Sequence, residues 1–270
     1  MKINPEFTEK VLTNFIRDEL AKFGYTKGIL GLSGGLDSAV SATLAARALS
    51  PKNVIVLIMP YGNNFSQDTE DAKSLAQSLG LQYETIDISP QVDCYFKACP
   101  VENRILKGNK MARERMSILY DYSSRKKALV LGTSNKTELL LGYGTIHGDM
   151  ASAINPLGDL YKSQIRQLAE YLDIPKNILE KKPSAGLWAG QTDEEELGID
   201  YETIDKILFL LVDERRTKQE ILKLGFNKSH LERITSFIVS SEFKRKLPII
   251  PKLSWRTIGI DFLYPYDRGK

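Results

Sequence analysis

Gly28-Ile29-Leu30-Gly31-Leu32-Ser33-Gly34-Gly35-Leu36-Asp37-Ser38 decides how this chain is read. An apolar run enters a glycine-rich turn, and an alanine-rich stretch from Ala39 to Leu49 follows. The pattern predicts strand, turn and helix. Glycines let backbone N–H groups come close to an anion, and the helix N-terminus adds the positive end of its dipole. Ser33 and Ser38 add hydroxyl donors. Asp37 is odd beside a polyanion unless it holds a hard cation such as Mg²⁺ against phosphate oxygens. Glycines alone fit a plain turn capped by Ser or Asp equally well; strand, Ser-Gly-Gly, Asp-Ser and helix together are more specific. The Gly-Lys-Ser/Thr ending of the P-loop is missing, and so is the Gly-x-Gly-x-x-Gly of the dinucleotide fingerprint.

Working outward, strands and helices alternate. Asn4-Pro5 predicts an N-cap and first helical residue, with Phe7, Val11, Phe15 and Leu20 on one helical face and Gly24 as the stop. Val54–Met59 is a continuous apolar run ended by Pro60, as in a strand buried on both faces. A helix at 71–79, a strand at 83–88, a long helix at 109–123 and a strand at 128–132 follow. This βα alternation predicts an α/β fold, a doubly wound, mainly parallel sheet flanked by helices. One domain is expected over 1–270, with an α/β nucleotide-binding core at about 25–160 and a mostly helical part from about 161. Helices are expected there at 163–172, 201–212, 218–224 and 228–240. Between them, 181–198 carries Pro183, Gly186, Gly190 and the acidic run Asp193–Glu196. So long an irregular stretch reads as a mobile lid.

Composition limits the function classes. The 270 residues carry a net charge of +3, with only short basic clusters such as Arg125-Lys126-Lys127 and Lys244-Arg245-Lys246. That argues against a nucleic-acid partner. No apolar run approaches the roughly 20 residues that span a bilayer, and the polar N-terminus is no secretory signal. Cys94 and Cys99 read as free thiols in a reducing cytoplasm, with a disulfide the lesser option. Two histidines build no histidine metal site, so a metal here would be oxygen-bound, which favours Mg²⁺.

The turn resembles the pyrophosphate loop of the N-type ATP pyrophosphatases, which cleave ATP between the α and β phosphates. Further blocks narrow the resemblance. Gly108-Asn109-Lys110-Met111-Ala112-Arg113-Glu114-Arg115-Met116, Leu131–Tyr143, Gly148-Asp149, Asn155–Lys162, Lys182–Trp188 and Gln191–Glu194 are similar, in order, to those of the NAD synthetases. The resemblance covers about 28–246. With no glutaminase domain attached, it implies the ammonia-dependent class: deamido-NAD, ATP and ammonia give NAD, AMP and pyrophosphate through an NAD-adenylate.

By that resemblance Gly31, Leu32, Ser33, Gly34, Gly35, Leu36, Asp37 and Ser38 cradle ATP, with Thr133, Lys162 and Ser184. Asp37 and Glu138 hold Mg²⁺, Arg113 and Lys244 meet deamido-NAD, and Asp149 stands near ammonia. Asp37, Glu138, Lys162 and Asp149 are the expected catalytic group. Without the blocks, Glu138 and Arg113 would read as solvated helix residues. The chain departs from the commoner pattern at Ile146, Ala153 and Phe243, where a lysine, an aspartate and a histidine are usual. The resemblance also implies a homodimer sharing the substrate site. A tRNA-modifying adenylating enzyme would require a basic face or an added RNA-binding domain. A nucleotide sensor need not keep both Asp37 and Glu138.

Overall fold

The computed structural model describes residues 1–62, 66–184, 192–246 and 248–258. Helix α1 (Pro5–Lys22) leads into strand β1 (Lys27–Gly31), and the turn after it opens helix α2 (Leu36–Leu49). Strand β2 (Val54–Ile58), helix α3 (Ser66–Ser78) and strand β3 (Gln82–Thr85) complete the first crossovers. Helices α4 (Ser89–Ala98) and α5 (Arg104–Lys126) then carry the chain back to strand β4 (Ala128–Val130). The sheet is parallel throughout, in the order β3-β2-β1-β4.

Successive strand residues face opposite sides of a sheet. Leu30, Val54, Val56 and Ile58 pack on one side with residues of α1, α2 and α3, whereas Ile29, Ile55, Leu57 and Val130 pack on the other with Met111, Met116 and Leu119 of α5. Helices therefore cover both faces, the doubly wound arrangement expected from the sequence. The chain winds outward from β1 to β2 and β3, then returns to β4 on the other side of β1. The reversal leaves a crevice at the C-terminal ends of β1 and β4, the usual place for a ligand in such sheets.

The remaining helices are α6 (Lys136–Leu141), α7 (Lys162–Tyr171), α8 (Lys176–Leu179), α9 (Asp193–Leu197), α10 (Tyr201–Leu208), α11 (Lys218–Lys223) and α12 (Lys228–Ser240). Ile165, Leu168 and Ala169 of α7 join the first sheet-face core. A third core gathers Leu141, Leu197, Ile204, Ile207, Ile221, Leu231 and Ile234 from α6 and α9–α12.

Several expectations need correction. Phe7, Val11 and Phe15 are 64%, 46% and 37% exposed, and the buried face of α1 is Thr13, Ile16 and Leu20. One residue is a rotation of about 100°, so the stripe carrying Ile16 is turned away from that carrying Phe15. The long helix starts at Arg104 because the Asn103 side chain accepts from the N–H groups of Ile105 and Leu106. Helix α4 was not expected, and α10 passes into a π-helical turn at Phe209–Asp213. The acidic run is helical in α9; residues 185–191 of the expected lid lie outside the described residues.

Gly142 joins two parts of this structure. It ends α6 in the left-handed region at φ 64°, and a Cβ there would lie 2.1 Å from Ser241 Cβ at the end of α12. Gly142→Ala should lower stability by roughly 1–3 kcal/mol, from strain at positive φ and overpacking. A melting temperature several degrees lower, with the parallel-sheet fold retained in circular dichroism, is the expected result; an unchanged melting temperature would contradict it.

Candidate active site

The Ser33–Ser38 turn is held by its own hydroxyls. Ser38 Oγ donates to Gly35 O at 2.9 Å and lies 3.0 Å from Ser33 Oγ. The N–H of Ser33 donates to Ser38 Oγ at 3.2 Å, and that of Gly35 to Ser33 Oγ at 3.2 Å. Gly34 has φ +80°, and a Cβ on it would lie 2.3 Å from the Asp68 carbonyl oxygen. Only glycine fits this close approach.

Three side chains from different elements meet where the turn becomes α2. Asp37 lies in the first turn of α2, Glu138 in that of α6 and Lys162 opens α7. The Lys162 ammonium donates to Asp37 Oδ2, and it lies 3.9 Å from Glu138 Oε1. Glu138 also closes a capping box: its Oε2 accepts from the Asn135 N–H at 3.2 Å, and Asn135 Oδ1 accepts from the Glu138 N–H at 2.9 Å. It is therefore no solvated helix residue.

Burial works against the Lys162 charge, but Asp37 and Glu138 overcome it and hold the ammonium above its ordinary range. Burial, then the Asp37 carboxylate, pushes the Glu138 carboxyl up. Two carboxyl groups share one ammonium, and Asp37 Oδ1 is buried without a hydrogen-bond partner. No group of three or more His, Cys, Asp or Glu side chains suited to a metal occurs among the described residues. A cation at this point would take two carboxylates from the protein and its remaining oxygens from water or phosphate, which suits Mg²⁺ better than a closed protein cage.

A scaffold beneath sets these positions. Asp205 of α10 is fully buried; its Oδ1 accepts from Thr137 Oγ1 at 2.6 Å and its Oδ2 from the Ser163 N–H at 2.8 Å. Thr137 Oγ1 in turn accepts from the Lys162 N–H at 3.0 Å. The start of α7, and the residue before Glu138, are thus tied to one carboxylate.

One pocket of about 530 Å³ takes in the turn, Asp37, Thr133, Glu138, Lys162 and Ser184. It continues to Asp149, Thr145 and Lys244. Asp149 Oδ1 accepts from the Thr145 N–H at 2.8 Å. The protein around it pushes its carboxyl up, although the pocket leaves it open to solvent. Lys244 donates to Gly142 O at 2.7 Å and Gly144 O at 2.9 Å. Burial pushes its pKa down, partly offset by Asp149.

Arg113 is exposed and outside this lining; its Nε donates to Ile146 O at 3.2 Å. Its neighbour in the same motif, Arg115, does line the pocket, its Nε on Met59 O at 2.9 Å. Sequence reasoning passed over Arg115, Asp205 and Lys181. Arg115 was available in the Ala-Arg-x-Arg block. Asp205 had no local signal, because its partners lie 42 and 68 residues away. The acidic run meets hydroxyls: Tyr143 and Tyr201 donate to Asp193 at 3.1 and 3.0 Å.

Comparison with known proteins agrees with this geometry. The family described as NAD synthase matches residues 8–248. The NH(3)-dependent NAD(+) synthetase of Trichlorobacter lovleyi is 50% identical over 270 residues, covering 100% of this chain and 99% of the relative. Among solved structures, an NMN synthetase from Francisella tularensis matches with TM-score 0.84 and 38% identity, over 93% of this chain and all of that one. An NH3-dependent NAD synthetase from Campylobacter jejuni, in complex with nitrate, matches with TM-score 0.81 and 37% identity at the same coverage. A parallel sheet with the phosphate turn at its switch point, and a match along nearly the whole length, lead to one conclusion: this chain belongs to the NAD synthase family.

Proposed function

We propose that this chain carries out the ATP-dependent amidation of deamido-NAD with ammonia, giving NAD, AMP and pyrophosphate through an NAD-adenylate. The observation that carries the reading is the meeting of Asp37, Glu138 and Lys162 beside the phosphate turn, in one pocket with Asp149. Full-length similarity to proteins named NH(3)-dependent NAD(+) synthetase supports it.

Each residue then has a task. N–H groups of the turn and of the start of α2 hold the triphosphate. The nicotinate carboxylate oxygen attacks the α-phosphorus; the bond to the β-phosphate oxygen breaks and pyrophosphate leaves. Lys162, kept charged by its carboxylates, offsets charge gathering on the phosphates. Asp37 and Glu138 would hold Mg²⁺, which when bound supplies the charge neutralisation that a departing pyrophosphate needs. Ammonia then attacks the activated carbonyl carbon, and AMP leaves with the electrons of the broken C–O bond. Asp149, a stronger base than an ordinary carboxylate, takes a proton from the incoming nitrogen. Thr133 and Ser184 line the ATP end; Lys244 and Arg113 belong to the deamido-NAD end. The adenylate must be shielded from water, the task of the 181–198 segment in this reading. The enzyme works in the cytoplasm on small-molecule substrates.

Asp37→Ala should lower kcat/KM for NAD formation by about 1,000-fold or more, the scale of several kcal/mol of lost charge stabilisation, with the fold intact. Glu138→Ala should lower activity and raise the Mg²⁺ concentration needed. Near-normal turnover of the first, or an unchanged Mg²⁺ titration of the second, would refute these roles.

The assay mixes ATP, Mg²⁺, deamido-NAD and a nitrogen donor, and reads NAD and AMP. Ammonium should support the reaction and glutamine should not; NAD formed from glutamine by a preparation free of glutaminase would contradict this. A second reading has a specific observation behind it. The similarity to an NMN synthetase makes nicotinate mononucleotide the alternative acceptor. The ratio of kcat/KM for the two acceptors decides between them, and deamido-NAD should have the larger value.

The active unit is a homodimer in this reading, supported by the resemblance and by α5. Met116 and Leu119 are buried within the chain and offer nothing to a partner; Ile105, Leu106 and Tyr120 are 59%, 53% and 41% exposed on the same helix. Sedimentation at micromolar concentration should give a dimer, and a fully active monomer would overturn the idea.

A further inference from the structure

The Lys181 side chain has no chemical task in the mechanism above, yet it bonds to three groups near the turn. It follows α8 and precedes Lys182, Pro183 and Ser184, all of which line the pocket. Its ammonium donates to Asp68 Oδ1 at 2.8 Å, to Asp71 Oδ2 at 2.5 Å and to the Gly34 carbonyl oxygen at 3.1 Å. Asp71 is 4% exposed, and its other oxygen accepts from Gln67 at 2.9 Å and Asn177 at 2.8 Å. One ammonium thus joins α3 to the turn, each more than 100 residues away in sequence, and Asn177 of α8 is tied in through Asp71.

We propose that Lys181 is a positioning residue of the ATP phosphate site: it fixes the Gly34–Gly35 peptide plane and neutralises the two carboxylates that α3 sets beside the turn. The proposal rests on the reading of the turn as the ATP site. The carbonyl oxygen of this peptide is held by Lys181, and its N–H by Ser33 Oγ. The unit is planar, so holding both ends fixes its orientation. Gly34 has no side chain to resist a flip, and a flip would exchange N–H and carbonyl oxygen between the two faces of the turn. Asp68 presses its backbone on Gly34 and also lines the pocket. Without the ammonium, a triphosphate arriving at Gly34 would face two uncompensated carboxylates. Burial opposes the Lys181 charge, but its bonds to Asp68 and Asp71 prevail and keep it protonated. The same anchor sets where the chain leaves for Ser184, three residues on.

The test uses the full chain as wild type, Lys181→Met and Lys181→Arg. NAD formation is measured against ATP at saturating deamido-NAD and the reverse, and binding of α,β-methylene-ATP is titrated directly. Lys181→Met should raise the ATP KM and the analogue Kd about tenfold or more, the scale of losing a charge-assisted hydrogen bond, with the KM for deamido-NAD within about twofold. Lys181→Arg should restore most of the loss. Should Lys181→Met not fold, Lys181→Met with Asp71→Asn removes the ammonium without leaving Asp71 charged and unpaired, and carries the same expectation. An ATP KM within about twofold of wild type overturns the proposal, and so does an equal rise in both KM values with a lowered melting temperature, which marks general structural support. Wild-type protein that forms no NAD sinks the ATP-site reading instead.

Discussion

The ammonium of Lys162 is enclosed beside two carboxylates, and the rest of the site depends on that arrangement. Taking three charges out of water is costly, and such a group is weak evidence for stability. Its worth lies in function. In the reading proposed above, Asp37 and Glu138 would hold a divalent cation, with the Lys162 ammonium beside them. In that reading the site would suit a polyanion that arrives with its metal better than a bare one.

The fold supplies these groups through element ends. Asp37, Glu138 and Lys162 each stand in the first turn of a helix, where unpaired N–H groups collect. The α2 start is placed by β1, at the point where the sheet order reverses. The α6 and α7 starts are placed by Asp205, a residue of the helical layer. The sheet thus sets one side of the site and the helical layer the other. Gly142 and Lys244 tie the loop around Asp149 to the end of α12, so the far half of the pocket rests on the same layer.

Much of this was legible in sequence because it is written locally. The apolar run of β2, the Asn4-Pro5 cap and the Ser33–Ser38 turn each carry their signal within a few residues. The α1 stripe misled because Phe7, Val11 and Phe15 have good helical spacing but Leu12, Ile16 and Leu20 have it too, and only tertiary packing chooses between them. Helix α4 was missed because Ser89-Pro90 reads as a turn until the helix that follows is seen to pack Val92 beneath it. Arg113 and Arg115 are two residues apart on one helix, and the motif alone does not say which faces the pocket. Asp205 and Lys181 act through partners far along the chain, where a single sequence carries no trace of contact.

The bond between Lys162 and Asp37 spans 125 residues. The chain emerges from the ribosome N-terminus first, at about 5–20 residues per second, so roughly 6–25 seconds separate the two side chains during synthesis. Over that interval the glycine turn has been made, but its carboxylate has no ammonium. A nascent or truncated chain can carry the turn without the charges that meet beside it in the finished fold. The three charges are held together only once Asp205, which positions the start of α7, has also been made.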